Sequence, residues 1–225
     1  MCGRLAPAGS RYGLLLLILL STYLLGAFLH ETWLNRLDLA LFTLAGLLAL
    51  RNSPVHSSAA RKAIAAGLVL SAVMIIILAG IDTDLGRGIA AIWTALLLLL
   101  IVVVLVRQIL LLPTVTIQSI YGAISAYLII GLMFATIYSA IRYFHGGHFF
   151  SGSQPANAST FQYFSFTTLT TLGYGDFTAA ESGGRAVAML EAMTGQIFLA
   201  TLVARLVSAF RPPAKVTGPD PADRD

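Results

Sequence analysis

Apolar stretches recur along the chain at 13–29, 37–50, 63–81, 89–112, 117–141 and 186–210, separated by polar breaks. A helix needs about 20 mostly apolar residues to cross a bilayer. The pattern therefore predicts six transmembrane helices, the second being the shortest and beginning beside Asp38. The breaks 30–36, 51–62 and 82–88 are of loop size, whereas the segment 142–185 is far longer. No internal repeat relates one half of the chain to the other, unlike the duplicated halves of many secondary transporters. Residues 1–29 carry a basic start (Arg4, Arg11), yet no small-residue cleavage site follows Leu29. The segment is expected to be a retained first span rather than a signal peptide.

Composition leads to the same class. Of 225 residues, 57% are hydrophobic and 11% charged, where soluble domains carry about a quarter charged residues. Too few charges remain to cover a water-facing surface, and six spans leave no room for a separate soluble domain. The formal charge of +4 comes without a basic run, so nucleic acid is not an expected partner. Basic residues instead report orientation. Arg4, Arg11, Arg51, Arg61, Lys62, Arg107, Arg205, Arg211, Lys215 and Arg224 fall on one side, against Arg36, Arg87, Arg142 and Arg185 on the other. This places both termini in the cytoplasm and 142–185 outside. The lone cysteine, Cys2, excludes an intrachain disulfide. The tail 212–225, rich in proline and charge, is expected to be disordered and too short to fold into a ligand-sensing domain.

The long outer segment opens with the turn-like HGGHFFSGSQPANAST and continues as FQYFSFTTLTTLGYGDF. Residues Thr160–Thr170 suit a short helix with Ser159 or Asn157 as N-cap. Too short to span, it would enter the membrane partway and return, and non-helical backbone at that depth must be buried in protein or line an aqueous path. In Thr171-Leu172-Gly173-Tyr174-Gly175, the glycines are spaced so that alternate residues adopt positive φ. Successive carbonyls then face one side, and rings of such oxygens replace the hydration shell of a cation. Thr171 adds its hydroxyl as the innermost ring, and Tyr174 is expected to point back into the protein and brace the width. One chain supplies one oxygen per ring, so four copies are needed to enclose an ion.

TTLGYGD resembles the selectivity filter of potassium channels, and FSFTTLTTLGYGDF resembles their pore helix running into it. The resemblance extends over about residues 117–210. Gly184-Arg185 opens the last span as a Gly plus basic pair often does in that family. Gly195 stands 19 residues after Asp176, the place of the inner-helix hinge glycine of bacterial potassium channels. The overall plan is similar to six-span channels. The resemblance implies an all-α membrane protein with a four-helix module at 1–112 and a pore domain at 113–211, with a re-entrant pore helix between the fifth and sixth spans. It implies a homotetramer that conducts K+ passively, binding it at Thr171, Leu172, Gly173 and Tyr174, with no cofactor. Leu172 departs from the usual valine, with an expected effect on conductance or inactivation rather than ion choice. Thr167 stands where two-span bacterial pores have a carboxylate, so inactivation through that acid does not carry over.

Other polar residues complete the candidate site. Glu191, in an apolar span, is expected to face the back of the pore helix and bond hydroxyls such as Thr167 or Thr168, bracing the filter with Thr170. The alternative is a carboxylate near the interface, reached by water. Gln196 is expected to face the cavity with Leu199 and Val203 below it, or else to bond a neighbouring helix; Gly195 serves as hinge, as close-packing residue, or both. Asp176 concentrates cations at the outer mouth, pairs with Arg185, or does both. His145 and His148 read more simply as polar loop residues than as a pH or metal site, and Asn157-Ala158-Ser159 fits a glycosylation sequon as well as a cap.

The fourth span contains no basic residue before Arg107, while steep voltage sensors use about 3–4 charges per subunit. Steep voltage gating is not expected. Arg107–Thr116, interrupted by Pro113, suits an interfacial linker through which tension or lipid would act. Two alternatives stay within channels: a weakly selective cation pore, and a regulatory subunit that does not conduct alone. A membrane enzyme would need converging acid, base or metal-ligating groups, which the scattered carboxylates, Cys2 and the two histidines do not form. The small size suggests a prokaryotic cytoplasmic membrane, with lipid and three further copies as partners.

Overall fold

The computed structural model describes residues 11–28, scattered positions between 66 and 77, and residues 83–111, 115–146 and 148–209. Among them lie helices α1 (Arg11–Phe28), α2 (Asp84–Leu111), α3 (Ile117–His145), α4 (Ala158–Leu169) and α5 (Ser182–Ala209). Three stretches are long and apolar enough to cross a membrane: Asp84–Leu110, Ile117–His145 and Ser182–Arg205; a shorter one, Tyr12–Ser21, lies in α1. Helices satisfy their own backbone, which a bilayer demands, and no strand occurs among the described residues. The expected second span at 37–50, most of the third at 63–81, Cys2, Pro113 and the tail 212–225 lie outside the described residues.

Two helices extend into stretches that the sequence assigns to loops, for local reasons. In α2 the polar residues 84–88 form the opening turns. The Thr83 hydroxyl accepts from the Gly86 amide at 3.2 Å, and its carbonyl accepts from the Arg87 amide at 3.1 Å. Asp84 then suits the positive end of the helix dipole. α3 starts on a capping box between Thr116 and Ser119 and ends at Gly146, whose φ of 64° turns the chain off the helix.

α3 is the hub. In its most apolar window 61% of residues are buried, against 11% for α5, so α3 is enclosed by this chain while α5 presents most of its surface outward. α2 packs most extensively along α3, α1, α4 and α5 also pack on it, and α1 touches α4 as well. Leu15 and Leu19 of α1, Leu98 and Leu105 of α2, Ile129 of α3, and Phe161 and Leu169 of α4 join one core. Polar links reinforce the seams: Tyr12 Oη donates to Gln108 Oε1 at 3.0 Å, and Arg205 Nη2 reaches the Leu110 carbonyl at 3.5 Å.

The connection from α3 to α4 differs from the solvated loop that its composition suggests. Phe149 and Phe150 are buried and stack edge-on with Phe161 and Phe164. Tyr138 of α3 meets Phe164 at 5.0 Å between centroids. A bridge joins Phe150 to Ala179, flanked by Ala180 N–H to the Phe149 carbonyl and Ser151 N–H to the Thr178 carbonyl, each at 2.9 Å. The loops before α4 and before α5 are therefore tied into one aromatic base. Truncating Phe161, 1% exposed, to alanine is expected to cost about 3–5 kcal/mol, read as a lowered thermal unfolding midpoint in detergent.

Candidate functional site

α4 is positioned from its first residue. Asn157 is the N-cap: its side chain accepts from the Thr160 amide at 3.0 Å, and Thr160 Oγ1 returns a bond to the Asn157 amide at 3.0 Å. The cap is therefore Asn157, of the two residues considered. Its Ser159 neighbour donates to Asn157 Oδ1. Along α4, Thr167 Oγ1 donates to the Phe164 carbonyl at 3.0 Å and Thr170 Oγ1 to the Phe166 carbonyl at 2.7 Å. The Phe166 ring lies over Gly131 of α3, where a Cβ would come within 2.7 Å of it.

Beyond Leu169 the backbone leaves the helix without losing its partners. The Thr171 amide donates to the Thr168 carbonyl at 2.9 Å, and the amides of Leu172 and Gly173 both donate to the Thr167 carbonyl, at 2.8 and 3.2 Å. Every second residue then has positive φ: Thr171 at 57°, Gly173 at 50° and Gly175 at 79°. At Thr171 a side chain occupies a conformation that costs a non-glycine residue about 1–2 kcal/mol, a strain not visible in the glycine spacing. Residues 170–176 are all exposed, with Leu172 at 54% and Tyr174 at 68%. The turn thus runs along an open face of the chain. Within the single chain the Tyr174 ring is exposed and does not pack against its own helices.

Asp176 closes the turn. Its carboxylate accepts from Tyr163 Oη at 2.8 Å and from the Phe177 amide at 3.1 Å, while Gln154 Nε2 donates to its carbonyl at 2.8 Å. Arg185 does not pair with it. The guanidinium donates to the carbonyls of Ala179 and Ala180, at 2.9 and 3.1 Å, because the loop before α5 presents those oxygens within reach. Tyr163 and Gln154 were not anticipated. The tyrosine sits four residues before Thr167 in α4, and its polar tip is the one sequence clue.

Behind the turn, Glu191 is wholly buried. Its partners are hydroxyls, as anticipated, but of Ser165 and Tyr138 rather than Thr167 or Thr168. The reason is rotational: Thr167 turns its hydroxyl to its own helix, whereas Ser165 lies on the face of α4 that meets α3 and α5. Full burial excludes the water-reached carboxylate considered above. Gly195 lies one turn further along α5, where a Cβ would stand 2.2 Å from the Leu169 carbonyl. That carbonyl also accepts from Tyr127 Oη of α3 at 3.1 Å. Close approach to the end of α4 therefore requires glycine here, inside an unbroken helix. Gln196 Nε2 reaches Thr171 Oγ1 at 3.3 Å, and Leu199 and Val203 are exposed further along the same helix. His145 and His148 line a small cleft with Glu181, and no cluster of three metal-ligating side chains occurs among the described residues.

Gly195→Ala is expected to push α5 off the end of α4 and lower the thermal unfolding midpoint in detergent. Gly183→Ala, in the first turn of the same helix with open space around it, is expected to leave that midpoint unchanged.

Residues 123–211 match the family described as ion channel, a family of channels rather than enzymes. No curated protein and no solved structure matches the chain. The matched stretch runs from within α3 through α4 and the exposed turn into α5. Over this stretch the chain is similar to an ion-channel family, and its long apolar helices are those of an integral membrane protein.

Proposed function

We propose that the chain forms a K+-selective channel in which four copies surround one pore and the turn Thr171–Gly175 supplies the selectivity filter. The observation that carries this reading is the positive φ at Thr171, Gly173 and Gly175 directly after a capped half-length helix. That alternation is the backbone requirement for carbonyls to form stacked rings around a dehydrated cation. The exposed position of the turn, and of Tyr174 in particular, supports assembly: these groups would be covered by neighbouring copies. The outward surface of α5, with Met189, Met193, Ile197 and Val207 each more than half exposed, supports the same arrangement. Gln196 and Thr171 then stand at the inner mouth of the filter and Asp176 at its outer mouth, where four carboxylates raise the local cation concentration.

Residues 113–211 act as the pore unit and 1–112 as a helical module around it, with both termini cytoplasmic, in a membrane of prokaryotic type. Between Arg87 and Arg107, α2 is wholly uncharged, so voltage has little charge to move. No cofactor is involved; K+ is the permeant ligand, and lipid and sister subunits are the partners.

Purified protein in a planar bilayer under opposed K+ and Na+ gradients is expected to reverse near the K+ equilibrium potential. Gly173→Ala, which puts a side chain at φ 50°, is expected to lose that selectivity. Reversal near zero in the wild type would favour the weakly selective pore, and silence until a second protein is added would favour the regulatory subunit. In symmetric K+, open probability is expected to change only weakly with voltage; a steep activation curve would contradict the absence of gating charge in α2.

A further inference from the structure

Three helices meet at one buried polar point. Glu191 of α5, fully buried, contacts Tyr138 Oη of α3 and Ser165 Oγ of α4. Ser165 Oγ also lies 2.6 Å from the Gly131 carbonyl of α3. The proton count of this group is restrictive. A carbonyl oxygen can only accept, and a serine hydroxyl has one proton to give. Were Glu191 ionised, its Oε1 and the Gly131 carbonyl would compete for that single proton, leaving one buried acceptor facing another oxygen without a hydrogen between them. With a proton on Glu191 the chain closes: Glu191 Oε1–H donates to Ser165 Oγ, Ser165 donates to the Gly131 carbonyl, and Tyr138 donates to Glu191 Oε2. Each of the three oxygen–oxygen contacts then contains one hydrogen. The groups bonded to Glu191 are two hydroxyls and neither is a cation, so nothing in the group balances a carboxylate charge, which is costly within a bilayer.

We propose that Glu191 is held in the membrane as the neutral acid, and that with Ser165 and Tyr138 it is a positioning residue for the filter. The inference rests on the filter reading given above. Its mechanical basis is the placing of the group. Ser165 lies midway along α4, and one turn beyond it the Leu169 carbonyl is held by Tyr127 and pressed against Gly195. These two points pin α4 to α3 and α5 at the height from which Thr167 and Thr168 hold the first filter amides. Tilting α4 would move those carbonyls and change the filter's width.

Two measurements test the proposal on the full-length protein in lipid. The infrared difference spectrum between wild type and Glu191→Gln isolates one carboxyl group. The C=O stretch of a protonated acid at neutral pH is expected, and the paired bands of a carboxylate would overturn the proposal. In bilayers, Glu191→Leu is expected to lower the K+/Na+ permeability ratio by about tenfold, the scale of one unsatisfied buried group. Glu191→Gln, which can accept from Tyr138 and donate to Ser165, is expected to recover most of that loss. Tyr138→Phe keeps the ring packed against Phe164 and removes only the hydroxyl, so it reports on the bond even if Glu191→Leu does not assemble; a fall of several-fold is expected. If Tyr138→Phe and Ser165→Ala both match the wild type, the positioning role is wrong. If the wild type itself reverses near zero, the filter reading fails, and the infrared band still decides the charge of Glu191 independently.

Discussion

Backbone at membrane depth has no water to bond, so a chain that enters a bilayer and turns back must supply partners for every amide and carbonyl it exposes. The segment between Asn157 and Asp176 meets such a demand at both ends of its short helix. The entering end is closed by the Asn157–Thr160 box. The leaving end is closed by the last turn of α4, where one carbonyl, that of Thr167, takes two amides from the turn that follows. The Leu169 carbonyl is taken by Tyr127. A short helix with both ends satisfied can sit where an open loop could not.

Holding that helix in place is a matter of small residues and rings. Gly131 admits the Phe166 ring, and Gly195 admits the Leu169 carbonyl, so α4 lies against α3 and α5 at distances no larger residue would allow. The aromatic base of Phe149, Phe150, Phe161 and Phe164 supports it from the loop side, with contacts that favour tilted and edge-on rings over flat stacking. The Glu191 group adds direction to this packing, since hydrogen bonds define an angle and a register where aliphatic contact does not.

The chain leaves its chemistry on the outside. The turn with alternating torsions, Tyr174, and most of α5 are exposed, while α3 and the back of α4 are enclosed by the chain's own helices. An interior built to fix the position of an exposed backbone turn suits a subunit whose working surface is completed by further copies, in line with the function proposed.

The membrane class and the glycine-spaced turn of alternating torsions were legible in the residues themselves. Runs of apolar residues report a bilayer because length and hydropathy are local properties, and Gly173 and Gly175 report positive φ because the preference belongs to the residue. The places where the sequence reading missed are all matters of rotation and neighbourhood. Which hydroxyl of α4 meets Glu191 depends on the angle at which α4 lies between α3 and α5, and Ser165 has no local mark to set it apart from Thr167. The partner of Asp176 proved to be Tyr163 rather than Arg185, because the loop before α5 offers the arginine two carbonyls first. Phe149 and Phe150 read as part of a polar loop until the bridge to Ala179 folds them under α4. Composition and periodicity thus determined where the chain would live and which residues form its turn; only tertiary packing decided which side chains hold that turn, since contacts between distant segments are set by how helices rotate against one another.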